Sequence, residues 1–86
     1  MSSAETTTDH DTIRKWAEAR DGHPARVATG GPGGILRIDF DEPEERLEAI
    51  SWEDFFEIFD ENDLAFLYDA DNRDSRFNKF IDRNKA

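Results

Sequence analysis

The chain has 86 residues, no cysteine and a formal net charge of −10 at pH 7. This length fits one small domain, and the lack of cysteine excludes both a disulfide framework and a thiolate metal site. No apolar run approaches the roughly 18–20 residues of a membrane helix, and residues 1–8 do not resemble a signal peptide, so we expect a cytoplasmic protein.

The first predicted element is a helix over residues 11–20. Its apolar residues Ile13, Trp16 and Ala17 fall at i, i+3 and i+4, which is the spacing of one helical face. Gly22 follows the last periodic residue and is expected to adopt the left-handed conformation that ends many helices.

A β-hairpin is predicted next. Residues 25–28 form a short first strand, residues 29–34 contain four glycines and one proline, and residues 35–40 alternate in polarity as a half-buried strand does. Residues 41–48 then form an acidic connection that a proline interrupts.

A second helix has the clearest local signal. Ser51 is placed to cap it, with Asp54 three residues later in the shape of a capping box. Asn62 is expected to take the left-handed conformation at its end. Four aromatic residues recur at helical spacing and are expected to form core, or else a partly exposed binding groove: Trp52, Phe55, Phe56 and Phe59.

The C-terminal part begins with a strand over residues 64–68. Both of its faces are apolar, which favours a central position in the sheet over an edge. Residues 69–74 are a polar loop. Phe77, Phe80 and Ile81 then fit a short helix, although a short strand remains an alternative.

Together these elements predict an α+β fold in the order α-β-β-α-β with a short C-terminal helix. The sheet is expected to be three-stranded, mainly antiparallel and covered by helices. Residues 1–8 are predicted to be a disordered tail, residues 9–83 a single domain, and residues 84–86 a second short tail.

Several segments resemble a small bacterial and archaeal protein family that has no established activity. The resemblance spans nearly all of residues 9–83 and is carried by HDTIRKWAEARDGHPA at 10–25, LRIDF at 36–40, ISWEDFF at 50–56, LAFLY at 64–68 and SRFNK at 75–79. Some members carry the label "1,4-alpha-glucan branching enzyme", but such enzymes resemble barrels of about 250 residues. The resemblance therefore implies no catalytic residues for this chain.

The residues that carry chemistry do not form a known site motif. Residues 69–74 resemble the start of a calcium loop, but Arg73, Asp74 and Phe80 stand where an oxygen ligand, glycine and glutamate are required. His10 and His23 are the only imidazoles, and their spacing does not suggest a zinc site. We expect no metal, no cofactor and no catalytic group.

The glycine-rich segment also lacks the motif of a phosphate-binding loop. A Walker sequence requires Lys followed by Ser or Thr after its last glycine, whereas Ile35 and Leu36 follow here. With no cysteine and with serines that are placed to cap helices, nucleophilic catalysis has no candidate residue.

The charge is unevenly distributed along the chain. Residues 39–74 contain fifteen acids and two bases, a net of −13, and residues 75–86 contain one acid and four bases, a net of +3. The acidic segment disfavours nucleic acid and anionic lipid. It is either a solvated surface, such as one adapted to a high-salt cytoplasm, or a binding face for a basic partner.

These observations favour a non-catalytic protein-interaction or accessory module, acting as a monomer or a weak homodimer with an unknown protein partner. The expected surface combines acidic and basic residues with exposed parts of the Trp16 and Trp52 helices; its charged members are Asp39, Asp41, Glu42, Glu44, Glu45, Glu48, Arg76, Lys79 and Arg83. A nucleic-acid-associated protein, acting through the basic C-terminus or by acidic mimicry, is the alternative. A small-ligand binder or an enzyme is the third hypothesis.

Overall fold

A computed structural model describes residues 4–27, 36–40 and 47–85 of the chain. Two helices and two antiparallel three-stranded sheets form an α+β domain, which confirms the predicted fold class. The elements are, in chain order, β1 (Ala4–Thr7), α1 (His10–Glu18), β2 (His23–Val27), β3 (Leu36–Asp39), β4 (Leu47–Ala49), α2 (Trp52–Glu61), β5 (Leu64–Asp69) and β6 (Asn78–Asp82). A 3-10 turn, Arg83–Lys85, follows β6.

The sheet arrangement differs from the single sheet that the sequence predicts. One sheet, here called sheet A, has the strand order β1-β5-β6, and the other, sheet B, has the order β3-β2-β4. The predicted hairpin is confirmed as the β2–β3 pair, in which Pro24 lies opposite Ile38 and Arg26 opposite Leu36. The predicted loop at residues 29–34 lies outside the described residues. The central position predicted for the strand at residues 64–68 is also confirmed, because β5 lies between β1 and β6.

Three segments form strands that the predicted order α-β-β-α-β does not include. Residues 1–8 were expected to be a tail, whereas Ala4–Thr7 pairs with β5. Leu47–Ala49 overlaps the predicted acidic connection and pairs with β2. The predicted C-terminal helix is wrong and its strand alternative is correct. Phe80 of β6 lies opposite Phe66 of β5, and their ring centroids are 5.4 Å apart.

Helix α1 starts at an aspartate cap. The Asp9 Oδ2 accepts hydrogen bonds from the Thr12 backbone N–H at 2.9 Å and from the Thr12 hydroxyl at 2.6 Å. The predicted left-handed residue at its end is wrong by one position, because φ is positive at Asp21 (58°). Gly22 is required for space instead, since a Cβ there would lie 2.6 Å from the Ile38 Cγ2.

Helix α2 begins at Ser51, as the sequence predicts. The Ser51 Oγ accepts a hydrogen bond from the Asp54 N–H at 3.0 Å, which satisfies one of the free donors of the first turn. At the other end, Asn62 keeps a negative φ of −101° and the left-handed residue is Asp63. The second left-handed prediction is therefore also wrong by one residue.

A single hydrophobic core joins the two sheets and the two helices. Its buried members are Ile13, Trp16, Ala17, Leu36, Ile38, Phe55, Phe59, Leu64, Phe66 and Tyr68. Within the aromatic stripe of α2, Phe55 and Phe59 are fully buried, whereas Trp52 and Phe56 are half-buried. The stripe thus supplies both the core and part of the surface. No helix in the described part of the chain is long and apolar enough to cross a membrane.

Candidate functional site

The acidic part of the predicted surface is only partly within the described residues. Asp39 ends β3 opposite His23, and Glu48 is the middle residue of β4. Four further members lie outside the described residues: Asp41, Glu42, Glu44 and Glu45. Among the acidic residues of the predicted surface, Glu48 is the one that lines a groove in the described part of the chain.

The basic part of the predicted surface is divided by β6. Arg76 precedes this strand and its guanidinium lies 5.3 Å from the Phe40 ring centroid. Arg83 follows the strand, beyond about 13 Å of extended chain. Lys79 lies within β6, opposite Leu67. These three residues do not form one compact cationic patch.

Arg83 has a structural role at the junction of α2 and β6. Its Nε donates to the Leu64 carbonyl at 2.9 Å, one terminal nitrogen donates to the Asp60 Oδ1 at 3.1 Å, and its guanidinium lies over the Phe59 ring. His10 contacts the other oxygen of Asp60 at 3.0 Å. Partial burial raises the pKa of Asp60, but the hydrogen bonds from His10 and Arg83 outweigh it and hold this pKa below its ordinary value.

His10 also extends an aromatic row on the surface of α2. Its ring stacks on Phe56 with centroids 4.1 Å apart, and Phe56 stacks on Trp52 with centroids 5.4 Å apart. Each inner ring face is therefore covered by its neighbour. Trp52 and Phe56 are half-buried and pack against the core, whereas His10 is exposed.

A concave surface feature lies between β4 and α2. This open groove of about 530 Å³, here called the β4 groove, is lined by Arg26, Glu48, Ala49, Ile50, Ser51, Asp54, Glu57 and Ile58. Ile50 and Ile58 give it an apolar component. Its charged residues are Glu48, Asp54, Glu57 and Arg26, a formal net of −2.

One ion pair crosses between the strands at the mouth of the groove. The Glu48 Oε1 accepts from the Arg26 Nε at 2.9 Å and lies 2.7 Å from a terminal nitrogen of Arg26. The two side chains are 42% and 48% exposed, so this pair contributes only about 0–1 kcal/mol. A competing cation can therefore replace Arg26 at Glu48 at little cost.

The outer edge of β4 carries hydrogen-bonding groups that point away from sheet B. The Ile50 N–H donates to the Pro24 carbonyl at 3.2 Å, which fixes the phase of the β2–β4 ladder. Antiparallel pairs alternate between bonded and non-bonded residues, so Glu48 bonds to Arg26 whereas Leu47 and Ala49 direct their N–H and C=O groups outward. No described strand pairs with this edge.

The described residues contain no group of three or more His, Asp or Glu side chains arranged to hold a metal ion. Their one buried carboxylate is Asp69, whose Oδ1 accepts from the backbone N–H groups of Asp71 and Asn72. It stabilises a turn and does not line the β4 groove. His23 begins β2, two residues before the predicted start of the first strand at residue 25.

No protein-family model, curated protein or solved structure matches this chain.

Proposed function

We propose that this domain is a non-catalytic protein-interaction module that binds a basic peptide segment in an extended conformation along the β4 groove. The observation that carries the proposal is the position of an acidic, partly apolar groove directly beside an outward-facing strand edge. Each half of this arrangement supplies a different part of peptide recognition.

The strand edge supplies main-chain recognition. A peptide that adds to β4 can bond to the outward groups of Leu47 and Ala49 and so extend sheet B by one strand. Alternate side chains of an added strand point to the same face of the sheet. On the face that Glu48 and Ile50 share, those side chains enter the groove and meet α2.

The groove supplies the preference for cations. Asp54 and Glu57 line it from α2, and Glu48 lines it from β4 with only an exposed partner, Arg26. A lysine or arginine of the added strand can contact these carboxylates, while an apolar residue can pack against Ile50 or Ile58. The recognised segment therefore alternates basic and apolar residues on one face.

Binding is measurable by fluorescence anisotropy with a short labelled peptide that alternates lysine and valine, against a glutamate–valine peptide of equal length. We expect a Kd of about 10–100 µM at low salt, since an interface this small belongs to the weak, transient class. Added salt weakens the binding because the contacts are charged and exposed. Equal binding of the two peptides would contradict the charge argument.

A matched pair of variants separates the groove from the general acidity of α2. Asp54→Asn with Glu57→Gln removes two charges from the groove, whereas Glu53→Gln with Glu61→Gln removes two exposed charges from the same helix outside it. The groove variant should weaken binding of the lysine peptide by about two- to thirtyfold, because each of the two exposed pairs contributes about 0.2–1 kcal/mol. Equal losses in the two variants would assign the effect to net charge.

The strand-addition geometry has its own test in Ala49→Pro. Because the Ala49 N–H points away from β2, proline removes an outward donor and keeps the internal ladder. We expect an unchanged fold by circular dichroism and loss of peptide binding. Retention of binding by a folded Ala49→Pro protein would show that the peptide does not add to β4.

A further inference from the structure

Strand β6 forms an edge of sheet A, and no described strand pairs with its outer side. The Arg83 N–H donates to the Asp63 carbonyl at 2.7 Å, which fixes the phase of the β5–β6 ladder. Because bonded and non-bonded residues alternate in an antiparallel pair, Asn78, Phe80 and Asp82 direct their N–H and C=O groups outward. Like β4, β6 is therefore an edge to which another strand can add.

The side chains that the β4 groove is proposed to recognise occur together on one face of the β6 segment. Phe77 and Lys79 are two residues apart, and the Lys79 Nζ lies 6.0 Å from the Phe77 ring centroid, so both side chains lie on the same face. Among the described residues Phe77 is the exposed large apolar side chain, at 44%, and Lys79 is exposed as well. This face thus alternates an apolar and a basic residue.

We infer that the occupant of the β4 groove is β6 of a second copy of this chain, added antiparallel to β4. The inference rests on the proposed function, because it names the basic segment that the groove binds. In an antiparallel pair, outward groups bond to outward groups. The phase of the two edges therefore allows Leu47 to lie opposite Phe80 of the second copy, and Ala49 opposite its Asn78.

This register brings complementary side chains together. Glu48 then lies opposite Lys79 of the second copy in a non-bonded pair, the type of pair in which cross-strand side chains are closest. Two residues away, Ile50 of the groove lies opposite Phe77 of the second copy. A shift of the register by two residues would place Glu48 opposite Phe77 or Ile81 and would lose the ion pair.

The helices of the two copies do not obstruct this pairing. Glu48 lies on the α2 side of sheet B, because both line the groove. Phe80 contacts the α2 rings Phe55 and Phe59, so Lys79 lies on the face of sheet A that is turned away from α2. Since Lys79 of the second copy shares a face with Glu48, the two α2 helices lie on opposite faces of the joined sheet. Its strand order is β3-β2-β4-β6-β5-β1, with the last three from the second copy.

The contact is heterologous, because β4 of one copy meets β6 of the next. It can repeat from head to tail, into a closed ring or an open chain. The net charge of −10 opposes association. At about 0.15 M salt, however, charges more than about 8 Å apart are largely screened, whereas a contacting pair is screened much less. One added strand is a small interface, so the association is weak.

Sedimentation velocity and equilibrium at about 0.15 M salt, from about 10 µM to about 1 mM protein, measure this association. The weight-average mass should rise with concentration above the 9.9 kDa of one chain. The lysine–valine peptide should compete for β4 and return the mass toward that of one chain. Binding of the peptide itself is measured separately by fluorescence anisotropy.

A charge exchange tests the register. Glu48→Lys and Lys79→Glu each place like charges opposite each other, so each variant alone should associate about two- to thirtyfold more weakly. An equimolar mixture of the two restores an opposite-charge pair at every contact between unlike chains, so its association should recover. Glu53→Lys and Lys15→Glu make the same changes in net charge at exposed helix positions outside the groove and should associate nearly as the unchanged chain does.

The outcomes separate this inference from the proposed function. A protein that binds the peptide at the groove but keeps a mass of 9.9 kDa at about 1 mM would overturn the inference and leave the proposed function standing. Absence of both peptide binding and association would overturn both. Association that the peptide does not reverse, or that the mixed variants do not restore, would assign the contact to another surface and overturn the inference.

Discussion

Replacing Gly22 by alanine should destabilise the domain, although its backbone does not require glycine. The new Cβ would lie 2.6 Å from the Ile38 Cγ2, 2.9 Å from the Phe40 Cε1 and 3.2 Å from the Ala17 carbonyl oxygen. Carbon atoms in favourable contact are about 3.5–4.0 Å apart, so the approach to Ile38 is about 1 Å too close. Ile38 is buried and β-branched, and its side chain cannot turn aside easily.

The cost is that of overpacking, about 1–3 kcal/mol. A domain of this length has a total stability of roughly 4–13 kcal/mol, so the variant should still fold. Each kcal/mol lowers the Tm of so small a domain by about 4–8 °C. Urea and thermal unfolding followed by far-UV circular dichroism measure both quantities.

Asp21→Gly is the matched control at the neighbouring position. Asp21 is the residue with positive φ, and glycine relieves that strain, so this variant should be more stable by about 0.5–1 kcal/mol. The two substitutions therefore have opposite signs. A neutral Gly22→Ala would show that the Cβ has room beside Ile38, and a destabilising Asp21→Gly would show that glycine relieves no strain at residue 21; either result would contradict our account of this turn.

Three further outcomes are expected. Ser51→Ala should cost about 1 kcal/mol in urea unfolding because the Asp54 N–H loses its acceptor, and Ser51→Asp should retain most of the stability. Because the pKa of Asp60 is lowered in the folded state, its carboxylate stabilises the fold at pH values above the ordinary aspartate pKa, and this stabilisation is lost as the pH falls through the folded-state pKa. Asp60→Asn should therefore flatten the acid limb of a curve of unfolding free energy against pH. An unchanged acid limb would exclude Asp60 as its source. Raising NaCl from about 10 mM to about 1 M should raise the Tm, because it screens the repulsion of a chain with net charge −10; a falling Tm would contradict a self-repelling acidic surface.

Local sequence signals were sufficient where the cause of a structure is itself local. The Ser51 cap and the alternation of Leu36 and Ile38 each depend on residues a few positions apart, and both are confirmed. The turn after α1 was misassigned because glycine has two uses. It permits positive φ and it leaves space, and only the contact with Ile38 shows which use applies at Gly22.

Long-range pairing was less predictable. β1 has the sequence AETT, with no apolar alternation, and its place depends on backbone bonds to β5. Around β6, the residues Phe77, Phe80 and Ile81 fit helical spacing. Phe77, just before the strand, is 44% exposed, while Phe80 packs against the core. Pairing with the open edge of β5 decides between a helix and a strand here, and a short sequence window around these residues does not include β5.

The candidate groove was likewise predictable from local sequence signals only in part. Glu48 was named as part of the acidic surface, whereas Asp54 and Glu57 were not, although both stand among the aromatic positions of α2. Helical spacing predicts where Asp54 and Glu57 lie on α2. It does not predict the position of β4 beside α2, because that position arises from the pairing of Ala49 with Ala25 in sheet B.

Sheet A joins strands from far ends of the described chain around β5. Ala4 of β1 pairs with Asp69, and β6 pairs with the other side of β5. During synthesis on the ribosome, β1 emerges early and then waits, without its partner, while α1, all of sheet B and α2 are made. Such sequence-distant pairing slows folding. Sheet A can therefore close only after β6 has left the exit tunnel, so the native core is sealed after α1, sheet B and α2 have all been made.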